Sequence, residues 1–556
     1  MPYLNADEIK SRDGHNAVEV HWISFSEIKY IASSIRRIGG YSRSLVKMEI
    51  SPVTQDDVFT FLADPATHGL REPVKRIDTH GAVVFLAGAN VYKVKRAVRF
   101  PFMDYSTLAK RRWACEREVT VNFANAPVLY LGVVPIVREG SALKLGGDGP
   151  VAEWAVHMQR FDENQTFDHL AAKHALPLDL LARLAERISV AHRNADVVAN
   201  GHAVESLQNP IEETLAVFKA KPEIFPSSEV MAFAKSLRAA FSNGKSLASE
   251  RESQGQVRRC HGDLHLRNIV LIDDQPTLFD AIEFDEKIAT CDVLYDLAFL
   301  LMDLWTRGLH KDANLLFNRY LWLVEDIAGT LKGLALMPFF LSLRAAIRAE
   351  VTVLQQGDVA AQAREARVYF DAAHDFLKPR PLNLIAIGGL SGTGKTTLAA
   401  ALAPMIDRPP GAVHLRSDIE RKRLMNVPAL ERLPDDAYRH EVTERVYQEL
   451  RDLTAIALAA GQSVIVDAVH LKEAERLAIE EVARQNQARF NGLWLEAPVE
   501  QLAQRVTQRQ GDASDATAAV VETQAKWEKD EVHWPRLDAT QSIDRLVEQV
   551  QTAIVL

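Results

Sequence analysis

The chain has 556 residues, 47% of them hydrophobic and 25% charged, with a net charge of −9. At about 150 residues per domain this length implies two to four folding units and excludes a single small module. The apolar content excludes a mainly disordered chain, the acidic balance argues against a broad face gripping nucleic acid, and three cysteines (Cys115, Cys260, Cys291) suit a reducing compartment rather than a disulfide framework.

In chain order, residues 1–50 read as an N-terminal extension of mixed charge and weak periodicity. They lack the basic start, apolar core and cleavage site of a secretory signal. No uninterrupted apolar run reaches the roughly 18–20 residues that cross a bilayer, the richest being Leu334 to Leu343. A cytoplasmic chain without a membrane partner is expected. Residues 51–377 read as one unit, with a small sheet-rich lobe over about 51–160 and a larger helical lobe over about 161–377. In the small lobe, Ala82-Val83-Val84-Phe85-Leu86 and Val91-Tyr92-Lys93-Val94 have strand character, and the charged stretch 107–124 is helical. One strand-rich interval, Arg258 to Phe284, interrupts the helices of the large lobe. Lys378-Pro379-Arg380-Pro381 is a linker, because two prolines forbid helix continuation. Residues 382–556 open with Leu382-Asn383-Leu384-Ile385-Ala386-Ile387, the continuous apolar run of a buried parallel strand.

After that strand comes Gly389-Leu390-Ser391-Gly392-Thr393-Gly394-Lys395-Thr396, with Thr397 next, and then a helix-forming run from Leu398 to Met405. This is the phosphate-binding pattern G-x-x-x-x-G-K-[ST] in its proper setting. Glycines let backbone N–H groups turn toward phosphate oxygens, Lys395 reaches the outer phosphates, and Thr396 can hold Mg²⁺. Val413-His414-Leu415 is a second strand leading to Asp418, placed to accept a proton from a substrate hydroxyl, or else to cap the following helix. Ser463 to Asp467 is a third strand ending in a carboxylate suited to Mg²⁺, and Leu493-Trp494-Leu495 a fourth. Arg505 and Arg509 follow one helical turn apart, able to close over phosphates or to face solvent.

This half resembles the small P-loop kinases that phosphorylate hydroxyls, the group spanning gluconate and shikimate kinases, zeta toxins and polynucleotide kinases. The resemblance covers about 170 residues and implies that Asp418 and Arg421 meet the acceptor while Arg505 and Arg509 are lid arginines. Residues 381–556 hold 20 basic and 26 acidic side chains, which favours a small acceptor over a nucleic-acid end.

In the large lobe, Cys260-His261-Gly262-Asp263-Leu264-His265-Leu266-Arg267-Asn268 contains H-x-D-x-x-x-x-N, the spacing that sets a proton-accepting Asp one short loop before an Asn on a metal. Two strands, Ile269 to Ile272 and Thr277 to Phe279, are joined by the turn Asp273 to Pro276, and Asp280 closes the second. A His/Asp metal site on His261, Asp263 and His265 is the competing reading. With Gly at 262, the loop resembles that of aminoglycoside phosphotransferase-like kinases, a bilobal superfamily. The resemblance implies ATP or GTP with Mg²⁺, Asp263 as catalytic base, Asn268 and Asp280 as metal ligands, and Asp292 and Asp296 as braces. It also implies a nucleotide lysine on the strand Tyr92 to Lys95 and a glutamate partner on the helix after it. Lys93 and Lys95 share a face and the sequence does not separate them; Lys93 with Glu118 is favoured over Lys95 or Glu116.

The fold class expected is therefore α/β and α+β, a bilobal protein-kinase-like domain followed by a P-loop NTPase domain with a parallel sheet flanked by helices. The order of the halves resembles bacterial tandem kinase fusions. That implies a bifunctional phosphotransferase acting on small-molecule hydroxyls. Two alternatives stand beside it: a toxin-like or regulatory nucleotide-binding protein that modifies a macromolecule or cell-wall sugar, and a polynucleotide 5′-kinase in the P-loop half.

Overall fold

The small lobe is built on six antiparallel strands in the spatial order β1-β2-β3-β8-β6-β7. These are β1 (Lys75–Asp78), β2 (Ala82–Ala87), β3 (Asn90–Lys95), β6 (Tyr130–Glu139), β7 (Ala142–Leu145) and β8 (Val151–Gln159), with a short hairpin of β4 (Arg99–Phe100) and β5 (Met103–Asp104) beside them. The computed structural model describes residues 53–100, 103–199, 201–355, 357–406, 408–508, 512–526 and 531–553; the expected extension, residues 1–50, lies outside them. Helix α1 (Gln55–Ala63) starts at Thr54, whose hydroxyl accepts from the Asp57 N–H while the Asp57 carboxylate accepts from the Thr54 N–H. Helix α2 (Leu108–Phe123) packs on β6 and β8 and brings Glu118 under β3.

The large lobe consists of α3 (Phe167–Ala172), α4 (Leu178–Asn194), α5 (Ala203–Ala220), α6 (Ser227–Ser253), α7 (Glu286–Ala289), α8 (Val293–Thr306), α9 (His310–Leu323), α10 (Ile327–Gly333), α11 (Met337–Leu354) and α12 (Val359–Phe376). Two small antiparallel pairs carry the site loops: β9 (Val257–Arg259) with β12 (Thr290–Asp292), and β10 (Ile269–Ile272) with β11 (Gln275–Leu278). The turn between β10 and β11 is tighter than expected. Only Asp273 and Asp274 form it, both at positive φ, so Gln275 and Pro276 belong to the strand and Asp280 lies two residues beyond its end. Ile327–Leu354 is long and apolar enough to cross a membrane by composition, with mean hydropathy 1.4, but 78% of its apolar window is buried in the protein, as expected of a core helix.

Helix α8 is apolar on nearly every face and is held by two buried acids. Asp292 accepts the Leu294 N–H at its start and a two-pronged ion pair from Arg251, at 2.5 and 2.7 Å. Removing one partner of such a pair leaves the other charge buried and costs about 3–5 kcal/mol. Asp292→Ala should therefore lower the denaturation midpoint strongly. Adding Arg251→Met should recover part of the loss, and a single variant as stable as the parent would refute this account.

The second half holds five parallel strands in the order β14-β15-β13-β16-β17: β13 (Asn383–Gly388), β14 (Val413–Arg416), β15 (Val464–Asp467), β16 (Arg489–Glu496) and β17 (Arg536–Asp538). β17 has no counterpart among the sequence-based strands, since three residues carry no period. Around the sheet lie α13 (Lys395–Leu402), α14 (Ser417–Leu424), α15 (His440–Ala459), α16 (Glu473–Gln485), α17 (Val499–Gln508), α18 (Ala518–Lys526) and α19 (Ile543–Ala553). α13 begins at Lys395, earlier than the expected Leu398, and passes into a 3-10 turn over Ala403–Met405. β13 is buried at every position and sits in the middle: the chain runs from it to the edge strand β14, returns to β15 on that side, and then crosses to β16 on the other. In an open parallel sheet that switch point opens a crevice at the strands' carboxyl ends. The architecture is thus a protein-kinase-like fold followed by a P-loop NTPase fold.

Candidate active sites

In the first half, the loop after β9 is shaped by Gly262, at φ +82°. A Cβ there would lie 3.2 Å from the Ala289 Cα and 3.1 Å from Ile282, a crowding that, with the positive φ, favours glycine. Asp296, fully buried on α8, fixes the same turn: Oδ1 accepts the Gly262 N–H at 2.8 Å, and Oδ2 meets the His261 N–H at 3.3 Å and His192 Nε2 at 3.2 Å. Burial pushes the Asp296 carboxyl up, but His192, His261 and Arg344 outweigh it and hold it below the ordinary range. Asp263 stands at the loop's open side. Its Oδ2 accepts from Asn268 Nδ2 at 2.9 Å and lies 3.3 Å from His265 Nε2. Because His265 Nδ1 accepts the Arg267 N–H, the ring proton is on Nε2, directed at Asp263. Burial again works against the charge, and His265, His261 and Arg348 overcome it, so Asp263 is a carboxylate well below its usual value.

Asp280 takes a left-handed backbone, φ +60°, a strained conformation for a residue other than glycine. Its carboxylate meets Lys93, whose Nζ lies 2.6 Å from Asp280 Oδ1 and 2.9 Å from Glu118 Oε1. Burial would lower the Lys93 ammonium, yet Asp280 and Glu118 raise it well above normal and keep it charged. Lys95, on the same face, pairs with Glu118 Oε2 at 2.5 Å and with Glu283, which also accepts from Tyr105 Oη at 2.7 Å. Glu116 is instead exposed and paired with Arg112. Sequence reasoning missed Glu283 and His192; the spacing of Glu283 three residues after Asp280 was the one visible sign.

In the second half the P-loop is a cradle that side chains would fill. A Cβ on Gly389, at φ +132°, would sit 2.5 Å from the Leu495 carbonyl oxygen, and one on Gly392, at φ +84°, 2.8 Å from that of Leu502. Gly394, at φ +88°, precedes α13 without a side-chain cap, so the first-turn N–H groups suit an anion. Lys395 Nζ folds across the loop to the carbonyls of Gly389 (3.0 Å) and Leu390 (3.1 Å). The Thr393 hydroxyl donates to Leu390 O, the Ser391 N–H donates to Gln524 of α18, and Thr397 is exposed on α13. Thr396 Oγ1 donates to Asp467 Oδ2 at 2.5 Å, a hydroxyl and a carboxylate of the kind that suits Mg²⁺. Despite burial, Asp467 stays below its usual range because His414 (3.5 Å), Lys395 and Arg416 (3.7 Å) surround it.

Asp418 behaves in the opposite way. It lies in the first turn of α14, where Arg416 is the N-cap, so it does not itself cap the helix. Burial raises its carboxyl above the ordinary aspartate value, with Asp467 adding to the shift and Arg416 and Ser514 opposing it. Arg421 is buried; its Nη1 donates to Ala437 O (2.7 Å) and Thr443 Oγ1 (3.1 Å), and the guanidinium stacks on Tyr438. Arg505 is exposed and donates to Ala539 O, and Arg509 lies outside the described residues. Sequence reasoning missed Arg416 and His414. Two alternate polar residues in a four-residue buried strand, Val413-His414-Leu415-Arg416, were the available signal.

Residues 384–529 match a family model described as an AAA domain. Over 470 residues, 81% of this chain and 90% of the relative, the chain is 29% identical to an uncharacterized protein of Mycobacterium tuberculosis. Among solved structures it is similar to a Plasmodium vivax ethanolamine kinase (12% identical, 61% of this chain and 96% of that one, TM-score 0.36). It is also similar to a Sinorhizobium meliloti gluconokinase (21% identical, 31% of this chain and 91% of that one, TM-score 0.23). The family model therefore covers the P-loop half, where the Gly389–Thr396 loop lies, and none of the first half.

Proposed function

We propose that this chain is a bifunctional ATP- and Mg²⁺-dependent phosphotransferase that carries a γ-phosphoryl group to hydroxyls of small molecules, with one site in each half. One observation supports the reading: each half places a carboxylate, Asp263 or Asp418, in one cluster with a lysine and a hard-oxygen pair suited to a nucleotide phosphate and its cation. In the first half those groups are Lys93 with Glu118, and Asn268 with Asp280; in the second they are Lys395 with the P-loop N–H groups, and Thr396 with Asp467. Bound Mg²⁺ supplies charge neutralisation at the phosphates.

The protein's own part is to hold the acceptor in line and take its proton. In each half the acceptor oxygen forms a bond to the γ-phosphorus, the bond from that phosphorus to the ADP oxygen breaks, and the hydroxyl proton passes to Asp263 or Asp418. A cavity of about 590 Å³ beside the P-loop, lined by Leu390, Thr393, Trp494, Pro498 and Arg536 among others, has room for the nucleoside. The three cysteines are free and buried, which fits action in a reducing cytoplasm.

The test is a metabolite library incubated with ATP and Mg²⁺ and read by mass spectrometry for the gain of one phosphoryl group. Asp263→Asn and Asp418→Asn chains serve as controls. Products that vanish in only one control assign each acceptor to its half. Transfer to the 5′ end of an oligonucleotide, with no small-molecule product, would replace this reading with a polynucleotide kinase for the P-loop half.

A further inference from the structure

Strand β14 is the edge of its sheet and pairs with β15 alone. An edge strand leaves alternate N–H and C=O groups without a ladder partner, and buried groups of that kind must be satisfied from elsewhere. Here the partners come from the other half of the chain. Helix α9 sets Asn314, Asn318 and Trp322 on one stripe at four-residue spacing. Asn314 Nδ2 donates to Pro410 O (3.0 Å) and Ala412 O (3.1 Å). Asn318 acts as a strand's peptide group would: its Nδ2 donates to the Ala412 carbonyl at 3.1 Å and its Oδ1 accepts the His414 N–H at 2.7 Å. Trp322 Nε1 donates to His414 O at 3.3 Å, so both backbone groups of His414 are met from α9. Returning the contact, Arg423 of α14 donates to the carbonyls of Leu321 (3.1 Å) and Trp322 (3.4 Å).

The indole does more than close the edge. The Arg416 guanidinium lies 5.2 Å over its ring, and the His414 ring meets it edge-on at 6.1 Å. Arg416 is 3% exposed; its Nη2 donates to Asp512 at 2.8 Å, while its Nε has no hydrogen-bond partner among the described residues and lies 3.7 Å from Asp467. One buried cation therefore faces the carboxylate beside the P-loop, ties down the segment that begins at Asp512, and rests on an aromatic face supplied by the kinase-like half. The platform is anchored in its own half, where the hydroxyl of Tyr320, also on α9, lies 2.9 Å from His192 Nδ1.

We infer that Trp322 is a positioning residue of the P-loop site: it holds Arg416 and the end of β14 so that Asp418 and Asp467 face the crevice at the right distance from the P-loop. The inference rests on the P-loop reading above and adds that this site is completed by the other half of the chain. Misplacement of reacting groups by about 1 Å can cost a hundredfold in rate, so a brace that touches no substrate can still set turnover.

The experiment uses the full chain and reads ADP formation from ATP with Mg²⁺. In an Asp263→Asn background, where the P-loop half alone turns over, Trp322→Ala should lower kcat about tenfold or more. KM for ATP should move much less, and Trp322→Phe, which keeps the aromatic face, should restore most of the rate. In a Lys395→Ala background, Trp322→Ala should leave the kinase-like half unchanged. If Trp322→Ala does not fold, Trp322→Leu fills the space without an aromatic face and carries the same expectation. Unchanged P-loop turnover in the folded variant overturns the inference, as does an equal loss in both backgrounds. Absence of any P-loop turnover in the parent chain removes the underlying reading instead, so the two failures are told apart.

Discussion

Asp263→Asn should lower phosphoryl transfer by the kinase-like half about 10²–10⁴-fold, the range that a positioned general base contributes. The carboxylate is the group at the loop's open side, and His265 and Asn268 fix its direction at 3.3 and 2.9 Å. Asparagine keeps the size and loses the ability to take the acceptor's proton. The loss should appear in kcat, with nucleotide affinity little altered, because Lys93, Glu118 and Asp280 remain in place. The measurement belongs in a Lys395→Ala background that silences the P-loop half. Turnover within threefold of the parent would show that Asp263 is not the base.

The second large effect is at Asp418, and its pH dependence separates the two halves. Asp418→Asn should cost the P-loop half a similar factor, about 10²–10⁴, when read in an Asp263→Asn background. A base acts only when ionised. Burial raises the Asp418 carboxyl above its ordinary value, so P-loop activity should be lost as pH falls through that raised value. Asp263 is held below its ordinary value by its histidines, so the kinase-like half should keep its activity further into acid. Acid limbs of kcat measured in the two single-site backgrounds should fall in that order. The reverse order would rule out at least one of the two assignments.

The geometry of the two loops was legible from sequence because it is encoded in short spacings. H-x-D-x-x-x-x-N sets Asp263 against Asn268 within one loop, and Asn268 does donate to Asp263. The glycines at 389, 392 and 394 announce left-handed backbone, and all three adopt positive φ. The buried parallel strand before the P-loop and the charged helix before β6 were readable from period and composition. By contrast, Lys93 and Lys95 could not be separated, since both point to one face and both reach Glu118. Only the position of Asp280, 187 residues further along the chain, distinguishes them, because Lys93 alone is bonded to it. β17 was too short to carry a pattern, and the side-chain directions of Arg421 and Arg505 depend on carbonyls that no spacing reveals.

By itself, then, the sequence determined the loops around Asp263 and Lys395, the strands that present them and the order of the halves, all properties of local backbone preference and residue type. Tertiary structure alone decided which charges share a site. It brought Asp296 beneath the Gly262 turn, raised the Asp418 carboxyl while lowering that of Asp467, and met the open edge at Ala412 and His414 with Asn314, Asn318 and Trp322 from the other half. The physical reason is that burial and charge pairing are set by neighbours distant in the chain. An asparagine on a helix does not show in its own surroundings that a strand edge some ninety residues away needs its amide.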